Sequence, residues 1–155
     1  MPVETTEEAS KLIKKWMEDR GVFNEEVSAD TSYFRYEGTW ETGVGFSIVQ
    51  PKDMLRIVGA VSNYEIERQY PKALESLNPY ERQEFLWDIK QGILLVPIFS
   101  IFMPDDNPKS ILFVKEISFD ELTEGRLAQA ADEVSRMVMW LSLVFLRRFG
   151  KPKED

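Results

Sequence analysis

The sequence predicts an α+β fold: a five-stranded antiparallel sheet, made of a three-strand meander plus a hairpin, with an N-terminal helix, a middle helical segment and a long C-terminal helix. Three observations predict it. Apolar residues repeat at helical spacing near both ends, short alternating runs fill the middle, and turn residues separate these segments. With 155 residues and no linker-like stretch, we expect a single α+β domain over residues 1–155.

The first helix is predicted over Thr6–Arg20. Thr5 and Glu8 have the spacing of a capping box, which satisfies free backbone N–H groups at a helix start. Gly21 stands where a left-handed C-cap is expected. The apolar residues between these ends repeat every three or four positions: Ala9, Leu12, Ile13, Trp16 and Met17.

The meander is predicted from three runs with short connections, since such connections favour antiparallel neighbours. The runs are Asp30–Trp40, the alternating Val44, Phe46 and Ile48, and Met54–Val61. In the first run Phe34, Tyr36 and Trp40 share one face, because alternate residues of a strand point to the same side. Glu41-Thr42-Gly43 and Pro51-Lys52-Asp53 are the turns between the three runs.

The middle helical segment and the hairpin follow. Tyr64–Leu77 is weakly helical, and Asn78-Pro79 begins a better helix with Leu86, Ile89 and Ile93 on one face. Leu95–Met103 and Ile111–Phe119 are predicted strands, joined by a turn at Pro104–Pro108. Because Leu95–Met103 is apolar on both faces, we expect a central strand covered on both sides. Ile111–Phe119 is expected to be an outer or partly exposed strand.

The last helix is predicted over Leu122–Phe149, with a possible capping box at Ser118 and Glu121. One stripe of it is expected to face the core: Leu127, Ala131, Val134, Val138, Leu141 and Phe145. In its second half the opposite side carries Met139, Trp140 and Leu143. A helix that is apolar nearly all round is buried on more than one side. Three kinds of chain could bury this second apolar face: the same chain, a second copy of it or a foreign partner.

The composition excludes several kinds of chemistry. The chain has no Cys and no His, which excludes thiol and imidazole catalysis and the usual zinc ligands. Its 19 basic and 27 acidic residues give a net charge of −8, which opposes binding to nucleic acid or to an anionic membrane. The first residues are acidic and unlike a secretory signal, and no apolar run reaches the roughly 20 residues of a membrane span. We therefore expect a cytoplasmic protein with no nucleic-acid or membrane partner.

Polar clusters do not indicate a catalytic, cofactor-binding or metal site. Asp105-Asp106 lies in a predicted turn and lacks an EF-hand pattern. Glu25-Glu26 is interpreted as a solvated loop. Gly43-Val44-Gly45 lacks the third glycine and the helix of a dinucleotide motif. The sequence thus predicts that the protein is not an enzyme.

The order of elements resembles the type III secretion chaperone-like fold, also seen in YbjN-like proteins, and is similar to an uncharacterised family of small acidic archaeal proteins. The resemblance is carried by the first helix, the meander, the Asn78-Pro79 helix, the hairpin and the closing helix. It implies a dimeric, non-enzymatic protein that binds other polypeptides.

We therefore expect a protein-binding or chaperone-like module that acts as a homodimer and binds no cofactor, with Met139, Trp140 and Leu143 as the candidate dimer or partner surface. One alternative is a small enzyme that uses carboxylate or Lys chemistry in a pocket between sheet and helices. Another is a structural subunit of a larger complex.

Overall fold

The computed structural model describes residues 5–28, 33–51, 54–62, 74–103, 108 and 110–150. Two compact units make up the chain. Unit 1 comprises Met1–Gly59 and Val114–Arg136, and unit 2 comprises Ala60–Phe113 and Met137–Asp155.

The described elements confirm an α+β fold with an antiparallel meander between an N-terminal and a long C-terminal helix. The helices are α1 (Thr6–Asp19), α2 (Pro79–Ile93) and α3 (Glu124–Phe149), with a 3₁₀ turn at Phe119–Glu121. The strands are β1 (Phe23–Glu26), β2 (Arg35–Thr39), β3 (Gly45–Val49), β4 (Met54–Ser62), β5 (Phe99–Met103) and β6 (Ser110–Ser118). They form one sheet in the order β1-β2-β3-β4-β6-β5.

The local signals for α1 and α2 act as the sequence predicts. The Thr5 hydroxyl accepts a hydrogen bond from the Glu8 amide at 3.1 Å, and the Asn78 side chain accepts one from the Glu81 amide at 2.9 Å. Gly21 follows α1 with a φ of 72°. This left-handed conformation is unfavourable for residues with a Cβ atom, whereas glycine adopts it readily.

The predicted capping box at Ser118 is wrong. Ser118 precedes the 3₁₀ turn and makes no side-chain capping bond there. Thr123 caps α3 instead, because its hydroxyl accepts from the Arg126 amide at 3.1 Å and its carbonyl accepts from the Leu127 amide at 3.0 Å. The long helix therefore begins at Glu124 rather than at Leu122.

Unit 1 has an aromatic core against its sheet. Phe34, Tyr36 and Trp40, which the sequence places on one face, are all buried. The Trp16 ring of α1 stacks on Trp40 with centroids 6.1 Å apart. Gly38 of β2 lies so close to α1 that a Cβ would come within 2.7 Å of the Met17 methyl, and this close approach requires glycine.

Unit 2 packs α2 against the second half of α3. The Phe85 ring lies 5.4 Å from Phe145 and 5.3 Å from Phe149, edge to face in both cases. The predicted core face of α2 is buried: Leu86, Ile89 and Ile93. So is the whole predicted stripe of α3, whose second half contributes Val138, Leu141 and Phe145 to this unit.

The strands differ from the prediction in three ways. Over the described residues the sheet has six strands rather than five, because Phe23–Glu26 pairs with β2. In the same strand order β5 lies at the edge instead of at the centre, and its Phe99 is 65% exposed. β6, expected to be an outer or partly exposed strand, is not an outer strand, because it lies between β4 and β5. It is partly exposed, since Glu116 and Ser118 are exposed while Ile111, Phe113, Val114 and Ile117 are buried.

Parts of four predicted segments lie outside the described residues. They include residues 30–32 of the predicted strand Asp30–Trp40 and residues 52–53 of the turn after β3. In Tyr64–Leu77 the structure describes 74–77, of which 74–76 are helical and Leu74 is fully buried. In the predicted turn Pro104–Pro108 it describes Pro108 alone.

Candidate protein-interaction surfaces

Exposed apolar side chains concentrate in unit 2. Among the described residues of unit 1, Tyr33 is the one large apolar side chain that is exposed. Unit 2 exposes many more: Tyr80, Trp87, Leu94, Leu95, Phe99, Ile101, Met139 and Leu143. Scattered apolar residues are normal on a surface, but a concentration of them indicates an interaction site.

The first surface lies at the C-terminal half of α2, on the two residues that follow this helix and on β5, and we call it the β5 surface. It consists of Trp87, Leu94, Leu95, Phe99 and Ile101, with Leu94 and Leu95 83% and 88% exposed. Trp87, Leu94 and Phe99 line one cleft of about 500 Å³. A single patch therefore connects the helix to the strand.

The two edges of the sheet differ in how they are protected. β1 is four residues long, carries Asn24, Glu25 and Glu26, and has an irregular register between Phe23 and Glu25. Short length, charge and bulges are the usual devices that prevent an edge strand from pairing with another chain. β5, with the sequence Phe-Ser-Ile-Phe-Met, has no charged residue. Its edge therefore lacks the charge that protects β1.

The second surface lies between α2 and α3, and we call it the helix groove. Phe85, Ile89, Trp140 and Val144 line about 430 Å³ of space, and the charged Asp88, Arg147 and Arg148 complete the lining. The two helices run antiparallel, because Phe85 contacts Phe145 and Phe149 while Gly92 contacts Trp140.

The three residues predicted as an interaction surface lie on and beside this groove. Trp140 is half-buried and lines it. Met139 and Leu143 are 41% and 60% exposed on the adjoining side of α3. Their role in binding stays a prediction, because their exposure alone does not identify what covers them.

Sequence reasoning missed the β5 surface. The signal was present, since Leu95–Met103 is apolar on both faces, but it was interpreted as burial within the sheet. A strand at an interface between chains is also apolar on both faces, because a second chain can bury the face that its own chain leaves exposed.

The titratable network of unit 1 holds α3 to the sheet. Arg136 Nε donates to Asp132 Oδ2 at 2.7 Å, which holds the pKa of Asp132 below its ordinary value of 3.8. The Trp40 indole N–H also donates to this carboxylate, at 3.3 Å. These bonds join α3 to Trp40 and place the carboxylate in a structural role.

The described residues contain neither a candidate metal site nor a candidate membrane-spanning helix. Within the part of the chain that the structure describes, no three acidic side chains are placed to hold a metal ion. Over the same residues, none of the helices has the length and apolar content needed to cross a membrane.

Two solved structures share this fold. An uncharacterized protein from Methanothermobacter thermautotrophicus is 25% identical, with a TM-score of 0.80, over 92% of this chain and 99% of that one. A chain in the structure of the HopA1–SchA chaperone–effector complex is 10% identical, with a TM-score of 0.54, over 93% of this chain and 98% of that one. The second likeness shows the fold alone.

No curated protein matches the sequence. A family model does match residues 9–145, and it describes an uncharacterized conserved protein, DUF2299. Since the match covers most of the chain, the protein belongs to the DUF2299 family.

Proposed function

We propose that this protein is a non-enzymatic, chaperone-like module that binds other polypeptides and acts as a homodimer. The observation that carries the proposal is the β5 surface, where an uncharged edge strand adjoins exposed Trp87, Leu94 and Leu95. Burying such a patch against protein is favourable by roughly 25 cal/mol per Å² of apolar surface.

A second copy is the occupant that best fits this surface. Edge strands present unpaired backbone N–H and C=O groups that another strand can satisfy. If two β5 strands pair antiparallel about a twofold axis at Ile101, each Ile101 faces its counterpart. Phe99 then lies on the same face as Ile101, because alternate residues share a face. Such a contact is self-complementary and closes at two copies.

The fold gives independent support for binding between polypeptides. A chain of the same fold belongs to a chaperone–effector complex, an assembly of different polypeptides. Fold likeness does not carry over a partner or a site, so we take from it only the general role in protein binding.

The clefts favour binding over catalysis. The β5 cleft and the helix groove are lined mainly by apolar side chains, whereas an acid–base site needs polar groups that converge in a cleft. Asp132, whose pKa is lowered by the Arg136 hydrogen bond, lines neither cleft.

Light scattering coupled to size-exclusion chromatography tests the dimer. At micromolar concentration the wild-type protein is expected to have twice the chain mass of 18.1 kDa. Ile101→Glu places two carboxylates opposite each other across the proposed axis, and we expect it to give a monomer. Phe99→Glu is expected to do the same from the adjoining position.

Tyr33→Glu is the matched control, because Tyr33 is as exposed as Phe99 but lies in unit 1. It is expected to remain a dimer. Circular dichroism establishes that each variant is folded. A wild-type monomer, or dimers in both β5 variants, contradicts the proposed interface.

A further inference from the structure

The helix groove is lined by three charged residues, whereas the cleft of the β5 surface is lined by one, Lys90. The walls of the groove are apolar, and its charged residues are two arginines, Arg147 and Arg148, and one acidic residue, Asp88. We propose that this groove binds an amphipathic α-helix of a partner protein, with acidic residues beside its apolar face. The inference rests on the proposed protein-binding function but not on dimerisation.

The groove extends along α3 over a length that suits a bound helix. Trp140, Val144 and Arg147 follow one another at i, i+4 and i+7 along α3, which at 1.5 Å per residue is about two helical turns. An amphipathic helix places apolar side chains at this same spacing. Laying that face into a groove between two helices is a common mode of peptide recognition.

The two arginines of the groove differ from the arginines of unit 1 in having no carboxylate partner among the described residues. Every arginine described in unit 1 pairs with a carboxylate: Arg20 with Glu41, Arg35 with Glu37, Arg56 with Glu116, Arg126 with Glu121 and Arg136 with Asp132. Arg147 and Arg148 are exposed, and within the described residues neither forms such a pair. The Arg148 guanidinium lies over the Phe149 ring, 5.7 Å from its centre, and this contact does not neutralise its charge. Both charges thus stay available to a ligand, although the chain as a whole is acidic.

The positive charge of the groove is opposite in sign to the net charge of the whole molecule. Selectivity for acidic over basic peptides therefore distinguishes binding in the groove from attraction to the whole molecule. A net charge of −8 attracts basic peptides without any specific site. A preference for acidic peptides therefore has to come from the groove. Carboxylates on the flank of a bound helix meet the two guanidinium groups and form charge-assisted hydrogen bonds.

Two labelled peptides of about 18 residues, long enough to form a helix, test the proposal by fluorescence anisotropy. They share leucines at i, i+3, i+4 and i+7 and carry either glutamate or lysine at the flanking positions. We expect the acidic peptide to bind at least about fivefold more tightly. The double variant Arg147→Glu, Arg148→Glu should reverse that preference, since each exposed charge pair contributes modestly.

Arg82→Glu is the control for the effect of a charge reversal in unit 2 outside the groove. Arg82 is likewise described without a carboxylate partner, but it lies in the first turn of α2 and does not line the groove. It is expected to change the affinity less than about twofold. Equal binding of the two peptides, tighter binding of the basic one, or no effect of the double variant overturns the proposal. The dimer mass of the same proteins reports separately on the proposed function.

Discussion

At the scale of single residues, the helix groove depends on Gly92. A Cβ at this position would meet the Trp140 ring at 2.9 Å, closer than ordinary contact. Alanine is the better helix former by about 1 kcal/mol, but the ring has to move to admit its methyl group. Because overpacking costs about 1–3 kcal/mol, we expect Gly92→Ala to destabilise the protein by about 1 kcal/mol.

A double-mutant cycle in urea separates the two effects. With Trp140→Ala as background the clash is absent, so Gly92→Ala is expected to stabilise by about 0.5–1 kcal/mol through helix propensity. The coupling free energy between the two positions is then about 1.5–2 kcal/mol. The same change in stability in both backgrounds would mean that Gly92 does not position the ring.

At the scale of elements, the start of α3 is set by Thr123 and not by Ser118. The Thr123 hydroxyl accepts a bond from the Arg126 amide, and losing such a cap costs about 1 kcal/mol. Thr123→Ala is therefore expected to lower the free energy of unfolding by about that amount. Ser118→Ala, its matched control, should change it by less than about 0.5 kcal/mol, because Ser118 makes no capping bond. Equal losses in urea denaturation would refute this assignment.

Elements whose signals are local could be predicted from the sequence. Thr5, Gly21 and Asn78-Pro79 determine helix ends through bonds and backbone angles within a few residues. The alternation of Phe34 and Tyr36 states directly which face is buried. All of these predictions are confirmed, and so is the order of the helices and the meander.

Elements whose place depends on distant partners could not be predicted. β1 was interpreted as an acidic loop, since Asn24-Glu25-Glu26 avoids the apolar alternation of a strand. The same charges protect it as an edge. β5 is predicted to be a central strand but lies at the edge, whereas β6, predicted to be an outer or partly exposed strand, lies inside the sheet and is partly exposed. Apolar residues on two faces indicate that a strand is covered, but they do not identify the chain that covers it. The candidate site was predicted in part for the same reason: Trp140 was identified from helical spacing, and Phe99 was missed.

At the scale of the whole molecule, electrostatic interactions act in opposite directions at the two surfaces. Two copies at −8 each repel when they approach, although the β5 surface itself is uncharged. The same net charge repels the acidic helix proposed for the groove, but Arg147 and Arg148 attract it at short range, and this local attraction is the larger effect in the proposed complex. Salt screens both interactions, because the Debye length falls from about 10 Å at 0.1 M to about 3 Å at 1 M.

Raising NaCl from about 0.1 M to about 1 M is therefore expected to strengthen dimerisation and to weaken binding of the acidic peptide, each by about threefold or more. Sedimentation measures the dissociation constant of the dimer, and fluorescence anisotropy measures the dissociation constant of the peptide. The double variant Arg147→Glu, Arg148→Glu should keep the salt dependence of the dimer, whose interface lies on β5, and lose that of the peptide. If both constants move in the same direction, the two surfaces do not have the separate apolar and electrostatic characters inferred from their residues.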